Sequence, residues 1–239
     1  VVAFQPNGKK KPAALPLQTG TATSHAGSRM LTYEKMEKFM PSRAKLTSMN
    51  IALRKSWTHE EFFDWAQSQE IRYEFDGFQP VAMTGGFNNA GAIGVNLLTA
   101  LRNRLRGSPC RPLGPNNGLE TVNKGNSAIR YPDALVTCTK FDGQGRSVPG
   151  VILVFEVVGN TPDSIHRDHF EKVVEYATVP SIRKYVIVES ANAGLTILER
   201  SSPEETWRET FLSAPDDVLL LPEIDIEIPV AEFYEDVTF

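Results

Sequence analysis

The sequence predicts an α/β fold for residues 49–239, with a mixed central β-sheet flanked by helices. Three observations predict it. Residues 151–158 form a nearly continuous apolar run, as expected of a strand buried on both faces. Residues 89–106 carry Ile93, Leu97, Leu101 and Leu105 at i+4 spacing, which is helical. Beyond a short hairpin the pattern runs helix, three strands, helix, strand, so the core is αβββαβ with an extra N-terminal β-hairpin.

The elements follow in order. Residues 1–48 differ from the rest of the chain: 1–29 are rich in Gly, Pro, Ser, Thr and Ala, hold a basic run at Lys9–Lys11 and lack a sustained apolar period. They are expected to be a disordered N-terminal extension. The chain begins at Val1, and Met49 precedes the first strongly patterned segment, so Met49 is a candidate natural start. Thr58 followed by Glu60 and Glu61 reads as an N-cap opening a helix to about residue 69, with Phe62, Trp65 and Ala66 on its apolar face. Residues 73–84 read as two short strands around Asp76-Gly77. The long helix comes next, and Gly107 stops it.

Strands are expected at 118–123, 129–139 and 151–158. A helix over 165–178 presents Phe170, Val173, Val174 and Ala177 on one face, and Pro180 limits it. Residues 184–189 and 194–199 read as a strand pair, and the tail through 219–221 and 224–228 as an edge strand before a short final helix.

Composition narrows the class. The chain has 239 residues, is 41% hydrophobic and 23% charged, and carries a net charge of −4. That is ordinary for a globular protein and gives no global attraction to nucleic acid or acidic membranes. No apolar run reaches membrane-spanning length and no secretory leader is evident, so the expected location is cytoplasmic. Cys110 and Cys138 are too few for a zinc site or a disulfide framework and read as two thiols in a reducing compartment. Gly85-Gly86 lacks the Lys-Ser/Thr of a phosphate-binding loop.

The informative residue is Glu156, a carboxylate inside an apolar strand. Such a group is costly unless paired, protonated or bound to metal. Asp133 poses a milder form of the problem within 129–137, and Pro132 before it suggests a strand start or a bulge. Neighbouring strands would bring both carboxylates to one spot, suited to a hard cation with oxygen ligands. Lys172, on the following helix, could then orient water or neutralise a phosphoryl transition state.

Structural alternatives stand beside this reading. Glu156 could pair with Arg130 or Arg183, Asp133 could be a turn residue, and Lys172 could be solvated with Asp168 and Glu175 as surface partners. Arg102, Arg104, Arg106 and Arg111 form the densest basic stretch and could meet phosphates or simply end a helix. His166, Arg167 and His169 could contact substrate or sit in an exposed first turn.

The order Pro132-Asp133, then Glu156 in an apolar strand, then a lysine resembles the PD-(D/E)XK nucleases. More specifically, the chain resembles the Uma2 (DUF820) family. The resemblance is carried by Arg72–Gly77, Pro80–Gly86, Arg130–Cys138, Glu156–Val158, Glu171-Lys172, Pro180-Ser181 and Ile228–Tyr234. It implies a restriction-endonuclease-like fold and a metal-dependent DNA endonuclease. Asp133 and Glu156 would be the Mg2+ ligands, with Mn2+ as an alternative ion. Lys172 would replace the usual strand lysine, whose place Val158 takes, and Glu74 would be a further acidic site residue. DNA would be the partner and a homodimer the working unit. The chain departs from the family at Ala90, where a His is common, and in the absence of acidic residues from the long helix. Ala90 and the net acidity of the chain favour an alternative: a catalytically degenerate module binding nucleic acid or a protein.

Overall fold

The computed structural model describes residues 57–83 and 85–239. The expected N-terminal extension and the Met49 start lie outside the described residues. α1 (His59–Gln67) begins at a reciprocal cap, in which the Thr58 hydroxyl accepts from the Glu61 amide and the Glu61 carboxylate accepts from the Thr58 amide. It buries Phe62 and Phe63 against Phe75 and Ile129 of a small antiparallel sheet. That sheet has the order β2 (Pro80–Ala82), β1 (Tyr73–Phe75), β5 (Asn126–Arg130), β4 (Leu119–Asn123).

The main sheet has six strands: β10 (Arg208–Leu212), β9 (Leu195–Glu199), β8 (Lys184–Glu189), β7 (Val151–Val158), β6 (Ala134–Thr137) and β3 (Arg111–Leu113). Only β7 and β8 run parallel; the helical stretch between them makes that crossover. Taken in chain order, α2 (Asn88–Arg104), β3, β6, β7, the crossover helix and β8 are the αβββαβ core. β4 and β5 are inserted into it; they pair with each other, and β5 pairs with β1 of the N-terminal hairpin.

Alternation along β7 decides which helix sees which residue. Leu153 and Phe155 join Ile93, Leu97 and Leu101 of α2 in one core. Val154 and Val158 join Tyr176 and Tyr185 in the other. Glu156 shares the second face, so it points toward the crossover helix. That helix runs as α3 (Pro162–His166), a π turn (Arg167–Glu171) and α4 (Lys172–Ala177). The tail forms a hairpin, β11 (Val218–Leu221) with β12 (Ile226–Pro229), then α5 (Val230–Phe233), and covers the α2 face. Arg104 holds it by a two-pronged ion pair with Glu232, at 2.8 and 2.6 Å.

Several expectations are corrected. The strand over 129–139 is two strands in different sheets: β5 ends at Arg130, β6 begins at Ala134, and Pro132 sits at the change. Its ring removes the donor a continuous ladder would need. The tail is a hairpin rather than a lone edge strand, and β3 and β10 are additional. Cys110 and Cys138 are bonded to each other rather than free. The pairing of Arg111 with Thr137 puts the two cysteines opposite each other one step further along. The inference of a reducing compartment, drawn from free thiols, therefore loses its support. No described helix is long and apolar enough to cross a membrane.

The bond closes a separation of 28 residues. Cys138→Ser is expected to lower the unfolding free energy by about 2–4 kcal/mol. Urea denaturation checks this: reductant should reproduce the loss in the wild type and change nothing in the variant.

Candidate active site

Antiparallel register places the first two carboxylates. Ala134 pairs with Phe155, so Asp133, one step beyond the ladder, lies beside Glu156. Its Oδ2 accepts a hydrogen bond of 2.7 Å from the Val157 amide. Glu156 Oε1 takes two donors, the Tyr176 hydroxyl at 2.5 Å and the Lys172 ammonium at 2.7 Å. Among the described residues, neither Asp133 Oδ1 nor Glu156 Oε2 takes a hydrogen bond. Asp133, Glu156, Lys172 and Glu74 all line one cleft of about 330 Å³. All four residues singled out in the sequence therefore come together.

Their roles differ. Glu74 accepts from the Tyr131 amide and from Arg130, each at 3.1 Å, so both of its oxygens are taken. Arg130 is 2% exposed and also grips Glu175 through two hydrogen bonds, at 2.7 and 2.5 Å. This Glu74–Arg130–Glu175 bridge ties β1 and β5 to α4, the helix that carries Lys172. The alternative pairings of Glu156 with Arg130 or Arg183 are not seen. Lys172 is buried rather than solvated, and of its two helical neighbours only Asp168 pairs with it, at 3.0 Å.

Asp168, Arg130, Glu175 and Tyr176 were not assigned to the site from sequence. The available signal was spacing: Asp168, Lys172, Glu175 and Tyr176 fall three or four apart and share a helix face. Spacing does not say whether that face is turned inward. Arg102 and Arg106 do not line the cleft: at 1.5 Å per residue Arg102 is about 18 Å along α2 from Ala90, which does. His166 stacks on Phe170, and His169 meets Glu189 at 3.0 Å; neither lines the cleft.

The electrostatics follow from burying more acids than bases. Burial pushes Glu156 up to about 8; Lys172 works against the rise, while Asp168, Asp133 and Glu74 add to it. Burial likewise raises Asp133, and the Val157 amide and Lys172 only partly offset it. Burial would also raise Glu74, but Lys172, Arg130 and the Tyr131 amide outweigh it and hold Glu74 below its ordinary value. Burial alone would lower Lys172, yet Glu156, Glu74 and Asp168 hold it above the usual lysine range. Lys172 is thus a fixed cation and Tyr176, raised by burial and by Glu156, a fixed donor.

Among the described residues, no three His, Cys, Asp or Glu side chains gather closely enough to hold a metal by themselves. The donor set suits a different coordination, in which two carboxylates bind a hard cation that keeps much of its water. Asp168 Oδ1 is buried in an ion pair with the Lys172 ammonium at 3.0 Å and takes no well-aligned hydrogen bond, and the surplus of buried carboxylate around that one ammonium fits a further positive charge.

Residues 59–231, well over half of the chain, match the Uma2 family, described as "Putative restriction endonuclease". The chain belongs to the Uma2 family. An uncharacterised protein of Synechocystis sp., slr1290, is 28% identical over 181 residues, which cover 75% of this chain and 92% of that relative. A crystal structure described as a "putative nuclease belonging to DUF820", from Anabaena variabilis, has a similar fold. Its TM-score is 0.55 at 9% identity, over 75% of this chain and 98% of the other. The restriction-endonuclease-like fold implied by the resemblance is therefore the fold observed.

Proposed function

We propose that this Uma2 protein is a divalent-cation-dependent endonuclease that hydrolyses phosphodiester bonds in DNA. The observation that carries the reading is the convergence of Asp133, Glu156 and a charged, buried Lys172 in one cleft at the end of the central strand.

Asp133 and Glu156 would hold Mg2+, or Mn2+ in its place. Such a cation polarises a phosphoryl oxygen and lowers the pKa of bound water. Lys172 cannot act as a general base, because its carboxylate neighbours keep it protonated. Its role is electrostatic, offsetting charge that develops on the phosphoryl group. Tyr176 and Lys172 hold Glu156 by one oxygen, and its other oxygen, which takes no hydrogen bond from a described residue, would be the one available to a cation. Glu74 supports the site through Arg130 and the Tyr131 amide rather than by ligation. Cutting both strands of a duplex takes two such sites, so the proposed working unit is a homodimer.

The test is nicking of supercoiled plasmid at low salt, with Mg2+ and Mn2+ titrated into wild type and Glu156→Ala. Loss of at least about a hundredfold in the variant is expected, the scale of losing a preorganised electrostatic group. Equal activity in both proteins would sink the site assignment. Wild type that neither cuts nor binds the cations would instead favour the degenerate binding module, to which Ala90 already points.

A further inference from the structure

The cleft holds two buried side-chain atoms without hydrogen-bond partners, Arg167 Nε and Asp168 Oδ1. They belong to consecutive residues of the π turn, where the Lys172 amide reaches back five residues to the Arg167 carbonyl. Such widened turns recur at functional sites because they re-aim side chains. The two atoms lie 3.6 Å apart, close enough for charge attraction but too far for a hydrogen bond.

Their surroundings are unequal. Asp168 has the Lys172 ammonium at 3.0 Å to offset its charge. Among the described residues, no other carboxylate pairs with Arg167. Its side chain is 38% exposed while Nε is buried, so the guanidinium reaches from the floor of the cleft toward solvent. A buried donor left open beside an exposed guanidinium can take an acceptor that enters the cleft.

The chemistry of that acceptor follows from the charges. Glu74, Asp133, Glu156 and Asp168 line the cleft against Lys172 and the buried Arg130. A phosphodiester approaching these acids needs a cation of its own at the mouth. A guanidinium suits it, because its planar fork matches two phosphate oxygens. The start of α2 adds the same polarity: Phe87 and Ala90 line the cleft, and the first turn has neither a capping side chain nor an acidic residue.

We propose that Arg167 grips non-bridging phosphate oxygens of the substrate strand, which makes it a further substrate-contacting residue of this cleft. The proposal rests on the nuclease reading above. It selects Arg167 from the cluster His166, Arg167 and His169, whose histidines are engaged elsewhere.

The test measures binding of a labelled duplex oligonucleotide by fluorescence anisotropy with Ca2+ present, alongside plasmid nicking with Mg2+. The proteins are wild type, Arg167→Ala, Arg167→Lys and, as an exposed control remote from the cleft, Arg102→Ala. Arg167→Ala is expected to weaken binding about tenfold to a hundredfold, the scale of a hydrogen bond to a charged group. Its KM should rise more than its kcat falls. Its plot of log K against log salt should flatten by about 0.9, the release of one counterion. Arg167→Lys should recover the salt slope but only part of the affinity, a split that loss of folding would not produce. Arg102→Ala should match wild type. If wild type binds and cuts DNA and Arg167→Ala does so equally well, this inference is overturned and the nuclease reading stands. If wild type neither binds nor cuts DNA, both are overturned.

Discussion

Arg130→Ala is expected to lower the unfolding free energy by about 3–5 kcal/mol, the scale of breaking a buried ion pair from one side. Arg130 is 2% exposed and satisfies Glu74 and Glu175, which are themselves buried. Removing it strands two carboxylates in a site already rich in negative charge. Arg130→Met fills most of the space but supplies no donors, so it should recover little of the loss. Adding Glu175→Gln to Arg130→Met should recover more, because one of the two stranded charges is then gone. Urea denaturation of the three variants orders these effects. If Arg130→Met were as stable as wild type, the bridge would be packing rather than charge compensation. Nicking should fall with stability, because the bridge fixes α4, and with it Lys172, against β1 and β5.

That bridge shows where sequence reading stops. Glu156 was legible because an acid in an apolar strand breaks the local pattern. Asp133 was legible because Pro132 marks a break just before it. α2 and β7 declared themselves by periodicity and by an unbroken apolar run. The sheet change between β5 and β6 did not, because the segment stays strand-like on both sides of the break while its partners switch. Nor did the cysteine bond, which needs β3 to pair with β6 before Cys110 and Cys138 can meet. β10 was hidden for the opposite reason: four of its five residues are exposed, so it carries no burial pattern. Lys172 was a candidate because the helix after β7 should pack back across the sheet, and the family resemblance added to it, since a lysine on a helix is ordinarily solvated. Asp168 and Glu175 could be read as its surface partners by spacing alone. In the folded chain one pairs with Lys172 and the other with Arg130, both out of water. Which face of a helix turns inward is tertiary information, and here it depends on a π turn and on an arginine from a distant strand.

The second large effect is a linkage between protons and the cation proposed for Glu156. Without a divalent ion, burial and the neighbouring acids hold its carboxyl up at about 8, against 4.5 for an ordinary glutamate. Between those values the folded chain keeps a proton that the unfolded chain has lost. Stability from this group is therefore fully present below about pH 4.5 and is lost as pH rises through about 8. Burial and the three neighbouring acids oppose ionisation of Glu156 when no cation is bound. Metal-free protein should thus lose thermal stability from about pH 6 to pH 8, and Glu156→Gln, which cannot ionise, should lose much less. Mg2+ needs the carboxylate, so its binding should release a proton at pH 7 and tighten as pH rises. Calorimetry in buffers of different ionisation enthalpy counts that proton directly. A count near one in wild type and near zero in Glu156→Gln is the expected result. A zero count in wild type with binding intact would mean that the cation sits elsewhere, and that the strained carboxylate at the end of β7 serves the fold and not the chemistry.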